Sequence, residues 1–452
     1  MDHTKPTDRR IFYLYIGLLI WLPLPKASVY PWATSLFTAT VLALCAYWCF
    51  LYFRRLTNLP AAFIKAWPAI VLLLLCQLWV LISTTLLSGE SGGSLDPGRS
   101  TQQLLQGIGL TALFTLTLLL LQTRKRIIIL LYALIISGVG QALYGSLMML
   151  SGTEYNLLFP KEHYLGVATG TFVNRNHLAG YLELCLAIGI GFMIATLKEG
   201  NRSWKDLGRG ILEALLGSKA RVRLGLIIMV SALVMTHSRM GNTAFFASLT
   251  ATGIIALILS KHASRATIVL LTSLLIIDLA IVGTFFGVDN VIDRIENTSL
   301  TTVRRDEVNA HSYTLLNDYF LSGTGAGSFY GVFPEYRAAD VGHAFYDYAH
   351  NDYLQFAIEF GLIGFIPLLL VVLLSFLIAL RAQRVRRDPL MRGLSFTAMM
   401  AIIAFAIHST VDFNLQIPAN AATFIVILAL GWMSLYFKET KPHRTRKADI
   451  AE

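Results

Sequence analysis

Charge is the scarcest feature of this chain. Only 14% of its 452 residues are Asp, Glu, Lys or Arg, against 55% hydrophobic, and the mean hydropathy is +0.60. That balance excludes a water-soluble domain and requires an integral membrane protein. Cysteine is also sparse. Cys45, Cys49, Cys76 and Cys185 all fall inside apolar runs, so no disulfide framework is indicated. No Cys/His spacing resembles a zinc site and no paired-aspartate motif offers a divalent-ion site, so neither a metal nor another cofactor is expected. The N-terminal region has basic residues and then an apolar run, without a small-residue cleavage site, and reads as an uncleaved anchor. No internal repeat is visible.

The long apolar runs divide the chain into about twelve spans of about 20 residues. They begin near Phe12, Trp32, Trp67, Gln102, Ile127, His177, Leu224, Gly241, Ala266, Asn351, Gly393 and Ala419. The fold class expected is an all-α polytopic membrane protein. Its segments are N-terminal spans (1–170), a core with outer-face motifs (171–288), a large loop domain between spans nine and ten (289–350), C-terminal spans (351–437) and a basic tail (438–452).

The net charge is +10, yet nucleic acid is the wrong inference. Of 37 Lys and Arg, 28 fall in alternate loops and tails, a bias that assigns those loops and both termini to the cytoplasm. Arg381, Arg384, Arg386 and Arg387, with Arg444, Arg446 and Lys447, are then topology signals and contacts for membrane lipids. A stretch around Ile211 to Leu216 in the longest cytoplasmic loop reads as an interfacial helix. The few basic residues on the outer side sit in polar, motif-like stretches and point to a site that handles an anion.

Four outer clusters stand out. Asn174, Arg175, Asn176 and His177 open span six, where capping accounts for an asparagine but not for the guanidinium. Thr236, His237, Ser238, Arg239 and Gly241 form a tight turn whose arginine could fork onto phosphate oxygens. Arg304 and Arg305 begin a helix-like stretch from about Thr302 to Phe320, after an earlier one through Ile292 and Ile295. His350, Asn351 and Asp352 stand where the loop re-enters the membrane, and a histidine there can take a proton from a hydroxyl. The loop between them turns at Gly323 to Gly327 and carries the aromatics Phe329, Tyr330, Phe333, Tyr336, Phe345, Tyr346 and Tyr348, either an interface belt or a platform for sugar or lipid. His408 and Asp412, four apart, are expected to share a helix face and pair. Asp278 is an acid within a span.

At these residues the chain resembles the O-antigen ligase and polymerase superfamily of polytopic bacterial glycosyltransferases, from roughly Thr171 to Pro418. The resemblance rests on FVNRNHLAGY, HSRMG, an Arg before NDYFLSGTGAGSF, and above all HNDYLQFAIEFGLIGF followed by HSTVDFNLQIP. It implies an enzyme of the inner membrane, active on the periplasmic face. The donor would be a glycan on undecaprenyl diphosphate and the acceptor lipid A–core or another lipid-linked glycan. By motif, the catalytic residues are His350, Arg305 and Arg239. Arg304, Arg175, Asn174, Asn176, His177, Asn351, Tyr336 and Arg337 are the substrate-binding candidates. NAHSYTLL follows Arg305 where the family often has an aromatic, which leaves either Arg304 or Arg305 as the counterpart.

Such chemistry suits the residues. Arginines replace a metal by stabilising charge that grows on the diphosphate leaving group. His350 is the candidate base, and an inverting single displacement needs no nucleophilic Ser or Cys. A ligase is the first expectation, a polymerase of the same superfamily the second. A transporter is a third, from another class, which mid-membrane polar residues would favour.

Overall fold

The computed structural model describes residues 6–87, 92–157, 159–196, 218–259, 272–273, 276, 300–336 and 347–439. Almost all of the span expected from Ala266 lies outside these residues. So do Asp278, Ile292, Ile295, Arg337, Phe345, Tyr346, the stretch Ile211 to Leu216, and the basic tail from 440.

The described chain is helical. Its helices are α1 (Pro6–Trp21), α2 (Pro31–Phe53), α3 (Ala61–Lys65), α4 (Trp67–Thr85), α5 (Pro97–Leu120), α6 (Arg124–Ser151), α7 (Arg175–Ala195), α8 (Ser218–Met235), α9 (Arg239–Leu259), α10 (Leu300–Asp318), α11 (Phe329–Tyr336), α12 (Asp352–Val385), α13 (Pro389–His408) and α14 (Pro418–Tyr436). The strand pairing described is one two-residue antiparallel bridge, Tyr155–Asn156 with Phe159–Pro160. Among the described residues nine helices are long and apolar enough to cross a membrane: α2, α4, α5, α6, α7, α9, α12, α13 and α14. The chain is thus an all-α, multi-pass membrane protein. Three of the twelve expected spans fall outside the nine: the first is a helix of only 16 residues, the seventh is α8, whose 18 residues include Lys219, Arg221 and Arg223, and the ninth lies almost wholly outside the described residues.

The helices start where side chains can satisfy the free N–H groups of a first turn. Asp96 accepts from Arg99 N at 3.0 Å ahead of Pro97, and Asp388 accepts from Leu390 N at 3.0 Å ahead of Pro389. Prolines at the first or second position of α2, α4 and α14 have no N–H to satisfy.

Helices α7, α13 and α14 are the most enclosed, and α12 the least. Close contact between α7 and α13 depends on glycine. A Cβ on Gly191 would meet Thr397 Oγ1 at 2.0 Å and the Gly393 carbonyl at 2.5 Å, while one on Gly393 would meet the Gly191 carbonyl at 2.4 Å. Small residues let backbones approach in this way inside membranes, where packing rather than water drives helix association.

Loops expected on one side share one end of the bundle. At that end Arg126 pairs with Asp8 at 2.7 Å and donates to the Leu120 carbonyl at 2.8 Å. Arg124 pairs with Asp388, and Arg386 donates to the carbonyls of Ser434 and Phe437. The polar motifs converge at the other end.

Candidate active site

At the motif end α7 begins with its cap. The Asn174 Oδ1 accepts from Asn176 N at 2.9 Å, which sets Arg175 and Asn176 in the first turn and buries His177. Arg175 lies 5.9 Å from the ring centre of Tyr164. The α8–α9 turn is joined to the approach to α7 by Ala168 N donating to the Met235 carbonyl at 3.0 Å. Ser238 Oγ accepts from Gly241 N at 3.2 Å and starts α9, leaving Arg239 exposed at its first residue. Gly241 permits the close approach to Ala179, since a Cβ there would lie 2.7 Å from that side chain.

The centre of the site is Asp412, whose side chain is 1% exposed. His177 Nε2 lies 3.7 Å from its Oδ1, and His350 Nδ1 lies 4.0 Å from the same oxygen. Both separations exceed hydrogen-bond length, so the coupling is electrostatic. Burial alone would lift the Asp412 carboxyl. The contact with His177 and the charges of His177, His408 and His350 outweigh it and hold the group well below the usual carboxylate range. Phe413 packs between the imidazoles, with edge-on contacts to His177 at 4.6 Å and His350 at 4.8 Å, and Tyr348 stacks on it at 4.1 Å. His350 retains 20% side-chain exposure. Its φ of 52°, like that of His237, lies in the left-handed region. Such strain collects at functional sites because the surrounding structure must impose it.

The start of α12 fixes His350 in this position. Asn351 Oδ1 caps α12 by accepting from Leu354 N at 3.1 Å. Asp352 N donates to the carbonyls of Ser409 and Asp412, and its Oδ2 accepts from Ser409 Oγ at 2.9 Å and Leu415 N at 3.1 Å. Asn420 Nδ2 donates to the His177 carbonyl and to Asn414 Oδ1, each at 3.0 Å. The start of α7, the start of α12 and the α13–α14 connection therefore form one polar network.

The expected pairing of His408 with Asp412 is corrected. Helix α13 ends at His408, so the four-residue spacing no longer places Asp412 on the same face. His408 Nδ1 instead meets Glu183 Oε1 of α7 at 2.7 Å, fully buried. Glu183 was not singled out in the sequence. An acid inside an otherwise apolar span was the available signal.

Glu359, also missed, organises the glycine turn. Its carboxylate accepts from Gly327 N at 3.0 Å, Phe329 N at 3.3 Å and Gln355 Nε2 at 3.1 Å. Thr324 N and Gly325 N donate to the carbonyls of Ile358 and Glu359. Helix α12 breaks just beyond, at Gly361, with φ 59° and ψ −179°. There the backbones of Gly323 and Gly361 pass so closely that a Cβ on either would lie within 2.5 Å of the other segment.

The aromatic segment divides. Phe329 and Phe333 stack at 4.9 Å inside a buried cluster with Val308, Leu315, Leu354 and Ile358, so these two are core. Tyr336 OH donates to Asp318 Oδ2 at 2.8 Å, and desolvation together with that carboxylate raises its phenol above the ordinary range. Tyr330 and Tyr348 line a cavity of about 230 Å³ with Arg99, Gln103, Gly327, Asp347, Gln355, Glu359 and Gln416. Arg99, from the start of α5, lies 4.0 Å from the Tyr330 ring centre. In the sequence it is one of the nine Lys and Arg that remain outside the 28 of the alternate loops and tails.

Of the sequence-derived candidates, His350, Asn351, Asn174, Asn176 and His177 therefore gather in or beside one network, with Arg175 at the same helix start. Arg239 begins the neighbouring α9, Arg304 and Arg305 lie on α10, and Tyr336 ends α11. Among the described residues no group of three or more His, Cys, Asp or Glu is arranged to hold a metal ion.

These features define a polytopic all-α membrane protein with a histidine–carboxylate centre at one end of its bundle. Within that class, residues 224–369 match the family model described as O-antigen ligase, which supports the O-antigen ligase superfamily for this chain. The matched segment runs from α8 into α12 and includes Arg239, Arg304, Arg305, His350 and Glu359. No curated protein matches the chain.

Proposed function

We propose that this protein is a glycosyltransferase of the bacterial inner membrane that moves a glycan from undecaprenyl diphosphate to lipid A–core on the periplasmic face. The observation that carries this reading is the convergence of His177 and His350 on the buried Asp412, within a chain matched by the O-antigen ligase family model. His350, whose Nδ1 faces Asp412, accepts a proton from an acceptor hydroxyl at Nε2 in this reading. The hydroxyl oxygen bonds to the anomeric carbon from the side opposite the diphosphate, and the C–O bond to the diphosphate breaks. Its electron pair leaves with undecaprenyl diphosphate, and the configuration inverts. Asp412 stabilises the imidazolium so formed, as a buried carboxylate does beside a catalytic histidine. Arg239, with Arg304 or Arg305, holds the diphosphate, and Arg175, Asn174, Asn176, His177, Asn351, Tyr336 and Arg337 complete the substrate site.

The test is transfer by purified protein given undecaprenyl-diphosphate-linked glycan and lipid A–core without divalent metal, beside His350→Ala, Arg239→Ala and Arg305→Ala. Glycan on lipid A–core, lost in the three variants, supports the ligase. Longer lipid-linked glycans with unmodified core make the protein a polymerase. Absence of any glycan product, where a known ligase works, overturns the proposal.

A further inference from the structure

The cavity beside Arg99 is built differently from the arginine sites assigned to the diphosphate. One guanidinium faces two carboxyls, Asp347 and Glu359, so the lining disfavours a polyanion. The remaining polar groups are amides and phenols: Gln103, Gln355, Gln416, Tyr330 and Tyr348. Amides and phenols donate and accept at short range without bearing charge, which matches the hydroxyl rim of a neutral sugar. Gln355 is already engaged, accepting from Ala349 N and donating to Glu359. Gln416 is not: its Nε2 is buried without a hydrogen-bond partner among the described residues. A buried donor in that state costs free energy until it meets an acceptor. Burial, with the charges of Glu359 and Asp347, raises the Tyr348 phenol to about 12, so it remains a hydrogen donor.

Size and position narrow the ligand. At about 230 Å³, the cavity is smaller than the pockets of roughly 300 Å³ and above that hold drug-sized molecules, and suits a single ring. Tyr348 lines it and also stacks on Phe413, against which His177 and His350 pack. Gln103 and Gln416 are shared with an apolar trough of about 460 Å³ that descends past Phe356, Phe360 and Phe376 along α12. A ring held here lies beside the histidine centre and next to a surface suited to hydrocarbon, as a lipid-borne glycan requires.

We infer that the Arg99–Tyr330–Gln416 cavity is a subsite for one neutral sugar ring, separate from the diphosphate-binding arginines. It deepens the proposed transferase reading and rests on it for the source of the sugar, which is either donor glycan or acceptor.

The test uses the full-length protein in detergent. Saturation-transfer NMR would follow two saccharide probes, the lipid-free glycan repeat and lipid-free core oligosaccharide, and 31P NMR line broadening would follow a third probe, inorganic pyrophosphate. Tyr330→Ala and Gln416→Ala are each expected to weaken a saccharide probe about three- to tenfold, leaving pyrophosphate binding unchanged. The saccharide affected identifies the source. Tyr330→Phe, which keeps the ring, controls for local unfolding and should retain most of the binding. In the transfer assay, Gln416→Ala should raise KM for that substrate alone. Unchanged saccharide binding in both Ala variants, or pyrophosphate competing for the saccharide site, overturns the subsite even if transfer proceeds. Saccharide binding lost in the variants, with no transfer by the wild type, leaves the subsite standing and removes the transferase reading.

Discussion

Asp412 concentrates the chemistry at the scale of single residues. It is the buried anion that two imidazoles face, and neutralising it removes what stabilises a protonated His350. Asp412→Asn should lower kcat by about 10²- to 10⁴-fold, the usual worth of a positioned general base, with KM little changed. A steady-state transfer assay checks this. The same carboxyl predicts a pH effect on stability. Its folded pKa is held below the ordinary range, so its stabilisation is complete above the unfolded value of about 3.9. That stabilisation is lost as pH falls toward the folded pKa. The melting-temperature gap between wild type and Asp412→Asn should close as pH falls below about 4. Asn351 acts differently, as the cap of α12. Asn351→Ala should cost about 1 kcal/mol of stability and Asn351→Ser much less, measured by thermal unfolding in detergent. His350 and His177 were legible in the sequence because polar residues bordered apolar runs. Glu183 and Glu359 were not, since a single acid inside an apolar run carries no sign of its partner.

At the scale of elements, the break at Gly361 decides how α12 meets the glycine turn. The first part of α12 carries Asp352, Gln355 and Glu359 to the site, and the rest forms the span. Gly361→Ala must place a Cβ in a conformation only glycine adopts freely, 2.3 Å from Gly323 N and Leu321 O. It should cost about 1–3 kcal/mol or more and detach the Gly323 to Gly327 turn, seen as new protease cleavage near the turn. The sequence motif GTGAG announced a turn. That a second glycine, 38 residues after Gly323, had to sit against it depends on a backbone crossing that no local pattern records. The same holds for His408, whose four-residue spacing to Asp412 suggested a pair until the end of α13 removed the shared face.

At the scale of the whole molecule, the bundle groups its loops into two ends. From the charge bias we propose the sides: the end stitched by Arg124, Arg126 and Arg386 cytoplasmic and the histidine end periplasmic. In a variant with its four native cysteines replaced, Thr153→Cys should react with a membrane-impermeant maleimide in intact cells. Arg387→Cys should react only after the membrane is opened. The reverse pattern would invert the topology and place the candidate site inside the cell.

Composition, run length and charge bias by themselves determined that this is a multi-pass, all-helical membrane protein. These properties are local, because a span is apolar wherever it packs. Motif order was sufficient for the resemblance, for the same reason. The tertiary structure alone decided which motifs meet. It brought the start of α7, the start of α12 and the α13–α14 connection around Asp412, paired Glu183 with His408, and carried Arg99 from the N-terminal spans to the cavity wall. Those contacts join residues up to hundreds of positions apart, and only helix packing fixes such distances.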